Sequence, residues 1–304
     1  MKKNGGMHME LRVLQYFLAV AETESFTKAA EQLHLTQPTL SRQIAELESE
    51  LGVRLFARGS HGVRLTDDGL LLRSRAQALL ALADKTKADF RCKGEDLQGT
   101  VAIGSGEYRS TACLADCIAA FRKRYPQVRY TMSSDNTVDI CAGIERGLLD
   151  IGLVATPVDV QKYDYLRMPV TEEWGALVRT DLPLAEKEAL TPADLVGIPL
   201  IAPSNANAGS LISHWLGDDA DRMACIARAN LPYSAALLAQ SNVGAAIGVR
   251  LPCRYDGLRF VPLSPPIRGS TLLIWKRGQR FPAAVSTFLA FAKTYIKSIS
   301  DDEI

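Results

Sequence analysis

The chain has 304 residues, enough for about two domains at roughly 150 residues each and for a core that needs no disulfide or metal staple. Apolar residues make up 47% and charged residues 23%, which excludes a disordered, collagen-like or low-complexity chain. With 35 Lys and Arg against 34 Asp and Glu, global charge neither favours nor disfavours nucleic acid, and any such signal must come from local spacing.

The N-terminus lacks the basic start, apolar run and small-residue cleavage site of a signal peptide. Apolar stretches such as Leu79 to Ala83 fall far short of the roughly 20 residues that cross a bilayer, so a cytoplasmic protein with no membrane contact is expected. Cys92, Cys113, Cys117, Cys141, Cys225 and Cys253 form no C-x-x-C motif and read as reduced thiols packed like small hydrophobes. Cys113 and Cys117 fall on one face of a predicted helix, and a redox pair there would need the helix to distort. His8, His34, His61 and His214 are scattered, and neither a metal nor another cofactor is expected.

In chain order, Leu11, Leu14, Phe17, Leu18 and Ala21 recur at helical spacing and predict a first helix ending near Glu22 to Glu24. Ser25 offers an N-cap for a second helix with Phe26, Ala29, Ala30 and Leu33 inward. Thr36 caps a third, with Pro38 in its first turn, Leu40, Ile44, Leu47 and Leu51 on one face, and Gly52 as its stop. On the opposite side lie Pro38, Ser41, Arg42 and Ala45, flanked by Gln37, Thr39 and Gln43: a small polar surface that fits a groove. VRLFARGSHGVRLT then reads as a hairpin bearing Arg54, Arg58 and Arg64 without an acidic residue.

Thr66 caps a long helix running to about Arg91, with Asp67 and Asp68 complementing its dipole. Its Leu72, Ala76, Leu79, Ala83, Thr86 and Phe90 follow a 4,3 spacing that suits a seam against a second helix, the alternative being packing on its own domain. Past Gly94 strands alternate with helices. Strands are predicted at 101–104, 129–132, 150–154, 175–178, 199–202, 245–248 and 271–275, and helices at 113–124, 137–147, 209–216 and 234–240. This alternation predicts an α/β region with largely parallel sheets and two lobes. The first 93 residues carry 14 basic and 11 acidic groups and the remainder 21 and 23, the sign expected of a DNA-binding head.

The run SFTKAAEQLHLTQPTLSRQIAELESELGVRLFARGSHGVRLTDDG resembles the N-terminal signature of LysR-type transcriptional regulators, gapless across residues 10–69, while GTVAIG and LLDIGLV resemble the family's effector domain more loosely. The resemblance implies a winged helix-turn-helix over residues 9–66, a dimerising linker helix over 67–93, and a two-lobed, periplasmic-binding-protein-like effector domain over 94–304. It also implies a homo-oligomer, dimeric through the linker helix and tetrameric as family members usually are.

At the family's recognition positions stand Thr36, Gln37, Pro38, Thr39, Ser41, Arg42 and Gln43, residues able to present donors and acceptors to double-stranded DNA. Arg64 and Arg58 of the wing are expected on phosphates, with an ion pair from Arg58 to Glu48 or Glu50 as the alternative. Ligands of α/β lobes bind beyond the C-terminal ends of parallel strands, which points to Ser105, Tyr108, Arg109, Asn136, Thr137, Thr156, Ser204 and Asn205. A small polar or anionic effector fits that composition, although Ser and Asn also cap helices for structural reasons and Tyr108 and Arg109 have solvent as their alternative. Enzymatic motifs such as G-x-S-x-G, a Walker loop or G-x-G-x-x-G after a strand are missing, and a solute-binding protein would need export. The reading is a transcription regulator controlled by a small molecule, not an enzyme.

Overall fold

In the computed structural model, which describes residues 9–59, 62–91 and 97–302, the apolar periodicity of the first segment becomes helix α1 (Leu11–Thr23). It is followed by α2 (Phe26–Gln32) and α3 (Gln37–Leu51). The hairpin strands β1 (Phe56–Gly59) and β2 (Gly62–Leu65) pair antiparallel from Phe56 opposite Leu65, and α4 (Asp67–Arg91) follows. The chain divides into two units at Ala88 and Asp89.

The first unit is built on Leu14, Phe17, Val20, Ala29, Leu40, Ile44, Leu47 and Leu55, all buried. Phe56 of the hairpin packs 5.3 Å from Phe17 and 5.7 Å edge-on from Phe26, so the wing is anchored by aromatic contacts worth about 0.5 to 1.5 kcal/mol each beyond area burial. Ser25 caps α2 as expected, accepting from the Lys28 amide at 3.4 Å. Thr36 occupies the cap position of α3, but its hydroxyl bonds the Thr39 hydroxyl at 2.8 Å rather than a backbone amide. Thr66 accepts from the Gly69 amide at 3.0 Å and donates to the Arg54 carbonyl at 2.6 Å, tying the start of α4 to the segment that leads from α3 into the wing.

The predicted seam on α4 divides. Leu72 and Ala76 are buried in the first unit's core, so they are unavailable to a second helix, and this part follows the own-domain alternative. Leu79 stays exposed, so that part of the seam remains available, and exposed Leu71 at 59% and Leu82 at 38% add a second free apolar stripe with half-buried Ala78 between them, at 7,4 spacing. The side chain of Phe90 lies outside the described residues.

The second unit begins with β3 (Gly99–Ser105), α5 (Ser110–Arg124), β4 (Val128–Ser134), α6 (Thr137–Glu145) and β5 (Ile151–Ala155). A 17-residue strand, β6 (Tyr163–Arg179), leads through two short 3-10 turns to β7 (Pro199–Pro203), α7 (Ala206–Leu216), β8 (Ala224–Ala229), α8 (Pro232–Gln240) and β9 (Ala245–Val249). The last elements are β10 (Leu258–Pro262), β11 (Arg268–Lys276) and α9 (Ala283–Asp302). Strand order is β4-β3-β5-β11-β6-β9-β7-β8, with β10 also on β6.

Long β6 makes two lobes of this ladder. Its first part pairs with β11 as far as Glu173 opposite Arg268, and from Trp174 onward it pairs with β9, with β10 on its other edge. The sheets are mixed rather than largely parallel. The β3–β4, β3–β5, β7–β8 and β7–β9 pairs are parallel, whereas β6, β10 and β11, which carry the chain between lobes and back, pair antiparallel.

Alternate residues of each strand serve opposite layers. In the first lobe Leu273 meets Phe121 and Phe288 of α5 and α9, while Leu272 and Ile274 meet Ile140 and Ile144 of α6. In the second, Leu200 and Ala245 face Ile212 and Leu216 of α7, while Ile201 and Ala246 face Ala239 of α8. Cys113 and Cys117 sit buried in the first of these cores with no disulfide between them, and burial pushes the Cys117 thiol up to about 12. Cys225 and Cys253 are exposed, contrary to the expectation of buried thiols, because both fall outside the packed layers; Cys92 lies outside the described residues. Among the described residues no helix is long and apolar enough to cross a membrane, and no cluster of His, Cys, Asp and Glu is arranged to hold a metal.

Candidate functional site

Two separate surfaces carry the chemistry. On α3 the division of faces is sharp: Leu40, Ile44 and Leu47 are 2% exposed or less, while Thr36, Gln37, Pro38, Thr39 and Arg42 are exposed and Ser41 and Gln43 half-buried. Arg42 leans toward Glu46, Nε to Oε1 3.7 Å, and Gln43 donates to the other Glu46 oxygen at 2.8 Å. Both partners of the Arg42 pair are exposed, so the pair is weak and readily exchanged for a phosphate or base. Arg64 is exposed on β2; the side chain of Arg58 lies outside the described residues.

Sequence reasoning missed Glu48 as a positioning group. Its carboxylate is buried at 9% exposure, where Oε1 accepts from the amides of Leu55 at 2.7 Å and Phe56 at 3.2 Å and Oε2 meets Arg54 at 3.1 Å. An acidic residue in the helix pattern LESEL, one turn before the helix stop, was the available signal: its neighbour on that face is the chain emerging toward the wing.

The second surface is a cleft of about 370 Å³ between the lobes of the second unit. Of the expected ligand residues, Tyr108, Asn136, Thr137, Thr156 and Asn205 line it. Tyr108 occupies the space over Gly106, where an added Cβ would come 2.2 Å from the ring, and burial raises its pKa, an effect that the Thr137 side chain and the Ala155 backbone partly oppose. Thr156 donates to the Ser270 carbonyl at 3.1 Å. Asn136 and Asn205 line the cleft while capping α6 and α7: Asn136 Oδ1 accepts from Val138 and Asp139 at 2.9 and 3.1 Å, and Asn205 Oδ1 from Ala208 at 2.7 Å.

Three expected residues are placed elsewhere. Ser105 is buried beneath the cleft, its hydroxyl donating to the Gly106 carbonyl at 2.6 Å. Arg109 directs its guanidinium along the surface toward the Thr171 carbonyl at 3.5 Å, and Ser204 is exposed off the lining.

Long-range pairing brings in residues that strand-end reasoning could not supply. Glu172 and Trp174 come from the middle of β6, Phe260 from β10, and Arg268 and Ser270 from β11, while Asn207, two residues past Asn205 at the start of α7, joins the lining locally. Asn207 reaches across the cleft, Nδ2 to the Pro157 carbonyl at 3.4 Å. The result is an apolar floor of Trp174, Leu177, Ile247 and Phe260 beneath a polar rim, and such a pocket orients a small amphiphilic ligand.

Comparison with known proteins places both surfaces in one family. Residues 11–70 match the family described as bacterial regulatory helix-turn-helix protein, lysR family, and residues 94–297 match the LysR substrate binding domain. The chain is 32% identical over 304 aligned residues to the Hca operon transcriptional activator HcaR of Escherichia coli (strain K12), covering 96% of this chain and 100% of that protein. Among solved structures, CbnR, a LysR family transcriptional regulator, shares the fold at a TM-score of 0.75 and 19% identity, covering 95% of this chain and 99% of that one. Full-length CbnR complexed with its target DNA gives 0.74 at 19% identity over 94% and 100%. Full-length BenM gives 0.54 at 25% identity over 97% and 98%.

Proposed function

The chain belongs to the lysR family of bacterial regulatory helix-turn-helix proteins, a DNA-binding transcription regulator rather than an enzyme, and from that premise we propose how its own residues carry the work. Residues 9–66 bind double-stranded DNA, 67–93 join two copies, and 94–304 bind the effector. Thr36, Gln37, Pro38, Thr39, Ser41, Arg42 and Gln43 enter the major groove, with Arg42 on a base edge or phosphate and Arg58 and Arg64 on the backbone beside it. Two α4 helices meet along Leu71, Ala78 and Leu82, and two such dimers make a tetramer acting in the cytoplasm. In the cleft, Tyr108, Asn136, Thr137, Thr156 and Asn205 hold a small polar effector that shifts the arrangement of the DNA-binding heads.

One observation carries the reading of the DNA face: α3 sets buried Leu40, Ile44 and Leu47 against an exposed side of small polar residues and one Arg, a helix anchored on one side and free on the other. The test is a salt-controlled titration of the full-length protein on its operator and on unrelated duplex. Arg42→Ala should weaken operator binding by about 1 to 3 kcal/mol, and Arg64→Ala should weaken both duplexes alike. Unchanged operator affinity for Arg42→Ala removes Arg42 from base readout.

A further inference from the structure

The N-terminus of α5 opens on the first-lobe wall of the cleft, where free backbone N–H groups and the positive end of the helix dipole ordinarily draw an anion. In this chain the position is filled from within. Glu172, 2% exposed, accepts from the Arg109 amide at 2.9 Å on one carboxylate oxygen and from the Ser110 amide at 3.0 Å on the other. The register of β6 fixes it there: Glu172 stands opposite Gly269 of β11. The next helix on this wall is closed as well, since Asn136 takes the first amides of α6.

The other ionisable groups of the wall are Glu107 and Asp135, both half-buried and both acidic, against one exposed Arg268 on the cleft lining. Burial raises the Glu107 carboxyl pKa from its ordinary value by disfavouring the charged form.

We propose that the effector meets this wall through a hydrogen-bond donor, an ammonium, amide or hydroxyl group, carried on an apolar body against Trp174 and Phe260, and that Glu172 is the specificity residue that keeps carboxylates off α5. The proposal rests on the reading of the cleft as the effector site and narrows its ligand from polar or anionic to donor-bearing. A carboxylate arriving at the first lobe would find its seat occupied and two further acids beside it, whereas a donor finds acceptors on that wall; of the cations at or beside the lining, Arg268 is exposed and Arg167 donates to the Ser270 hydroxyl at 3.0 Å.

The experiment uses the full-length protein without DNA. Glu172→Ala removes the four heavy atoms of an acetate ion, so sodium acetate should raise the variant's melting temperature above its value in sodium chloride of equal ionic strength and leave the parent's unchanged. A variant that folds only in acetate gives the same answer. Acetate acting on both proteins alike, or on neither, overturns the proposal. On the parent, phenylacetamide and 2-phenylethylamine are compared with phenylacetate by the same melting shift. Either donor exceeding phenylacetate supports the proposal, phenylacetate exceeding both overturns it, and if none shifts the parent the acetate result decides. A parent that binds the amine without any change in DNA affinity would refute the regulatory reading of the cleft and leave the role of Glu172 standing.

Discussion

Glu48 joins the recognition helix to the wing, and its removal tests whether the first unit holds its DNA-reading surface through one buried carboxylate. The side chain is 9% exposed and accepts from two backbone amides, Leu55 at 2.7 Å and Phe56 at 3.2 Å. Hydrogen bonds to a charged group contribute about 1.5 to 3 kcal/mol each, and a buried amide left without an acceptor costs about 1 to 3 kcal/mol. The Phe56 bond is long and its surroundings are only partly buried, so it counts near the low end. Glu48→Ala should therefore destabilise the first unit by about 2 to 4 kcal/mol, even though Ala is the better helix former by a few tenths. Arg54 meets the same carboxylate at 3.1 Å but is 83% exposed, so Arg54→Ala should cost about 0.5 kcal/mol or less. All three tryptophans, Trp174, Trp215 and Trp275, lie in the second unit, so Trp fluorescence is blind to this change. Amide hydrogen exchange over peptides covering 53–66 reads it directly, and operator titration reports whether a loosened wing weakens DNA binding. If Glu48→Ala and Arg54→Ala exchange alike, the buried amides are not what the carboxylate stabilises and the argument fails.

Gly69→Ala should reverse the usual gain of about 1 kcal/mol for that change in a helix, because the new Cβ would lie 2.2 Å from the Leu55 carbonyl oxygen; a net loss of about 2 kcal/mol or more in first-unit stability, measured by far-UV circular dichroism, is expected. Glu46→Ala frees Arg42 and Gln43 and removes a negative charge from the DNA face, so affinity for unrelated duplex should rise, most clearly at low salt. Leu82→Asp puts a charge into the free stripe of α4 and should split the oligomer in sedimentation, whereas a full-size assembly with normal DNA binding would place the interface elsewhere. Thiolate is the reactive form and burial pushes Cys117 up to about 12, so in a Cys92→Ser background a disulfide reagent at pH 8 should label exposed Cys225 and Cys253 promptly and Cys117 only after unfolding.

Local chemistry explains which parts of this molecule were legible in the sequence. The helices of the first unit follow from 3.6-residue periodicity, opened at Ser25 and Thr36 and stopped at Gly52, signals that act within one turn. The strands at 101–104, 150–154 and 245–248 are short apolar runs buried on both faces and read equally well. Only 175–178 of β6 was expected as a strand, since the preceding YDYLRMPVTEEW is polar and half-exposed and takes its structure from β11, about a hundred residues away. β8 and β10 were missed for the same reason: ACIARA is largely exposed and LRFVP is held by β6. The helix α9 carries the apolar spacing of Val285, Phe288, Leu289 and Ala292 that could have revealed it. In the cleft, residues after strand ends were accessible to reasoning, while Glu172, Trp174 and Phe260 arrive through antiparallel pairings that no local pattern encodes.

The same pairings decide what a ligand must do to act as a signal. The lobes are joined through β6 at Glu173 and Trp174 and through the return between Leu263 and Arg268, where Leu263 donates its amide to the Trp174 carbonyl at 3.1 Å and Trp174 its own to the Ile267 carbonyl at 3.2 Å. Cleft residues thus sit directly on the crossing strands, Trp174 and Arg268 being both lining and hinge. Across the opening, the Asn207 amide meets the Pro157 carbonyl at 3.4 Å, an exposed contact worth at most about 1 kcal/mol, which holds no state firmly. A ligand seated on both walls therefore has to supply the preference itself, and only its difference in affinity between two lobe arrangements counts. Driving such an equilibrium from 1:99 to 99:1 takes roughly a 10⁴-fold difference, or about 5.5 kcal/mol. A body resting on Trp174 and Phe260 alone would touch mainly the floor in either arrangement. The polar group it offers to the first-lobe wall is what would distinguish closed from open, so the chemistry that decides whether a compound binds this wall also decides whether it can regulate.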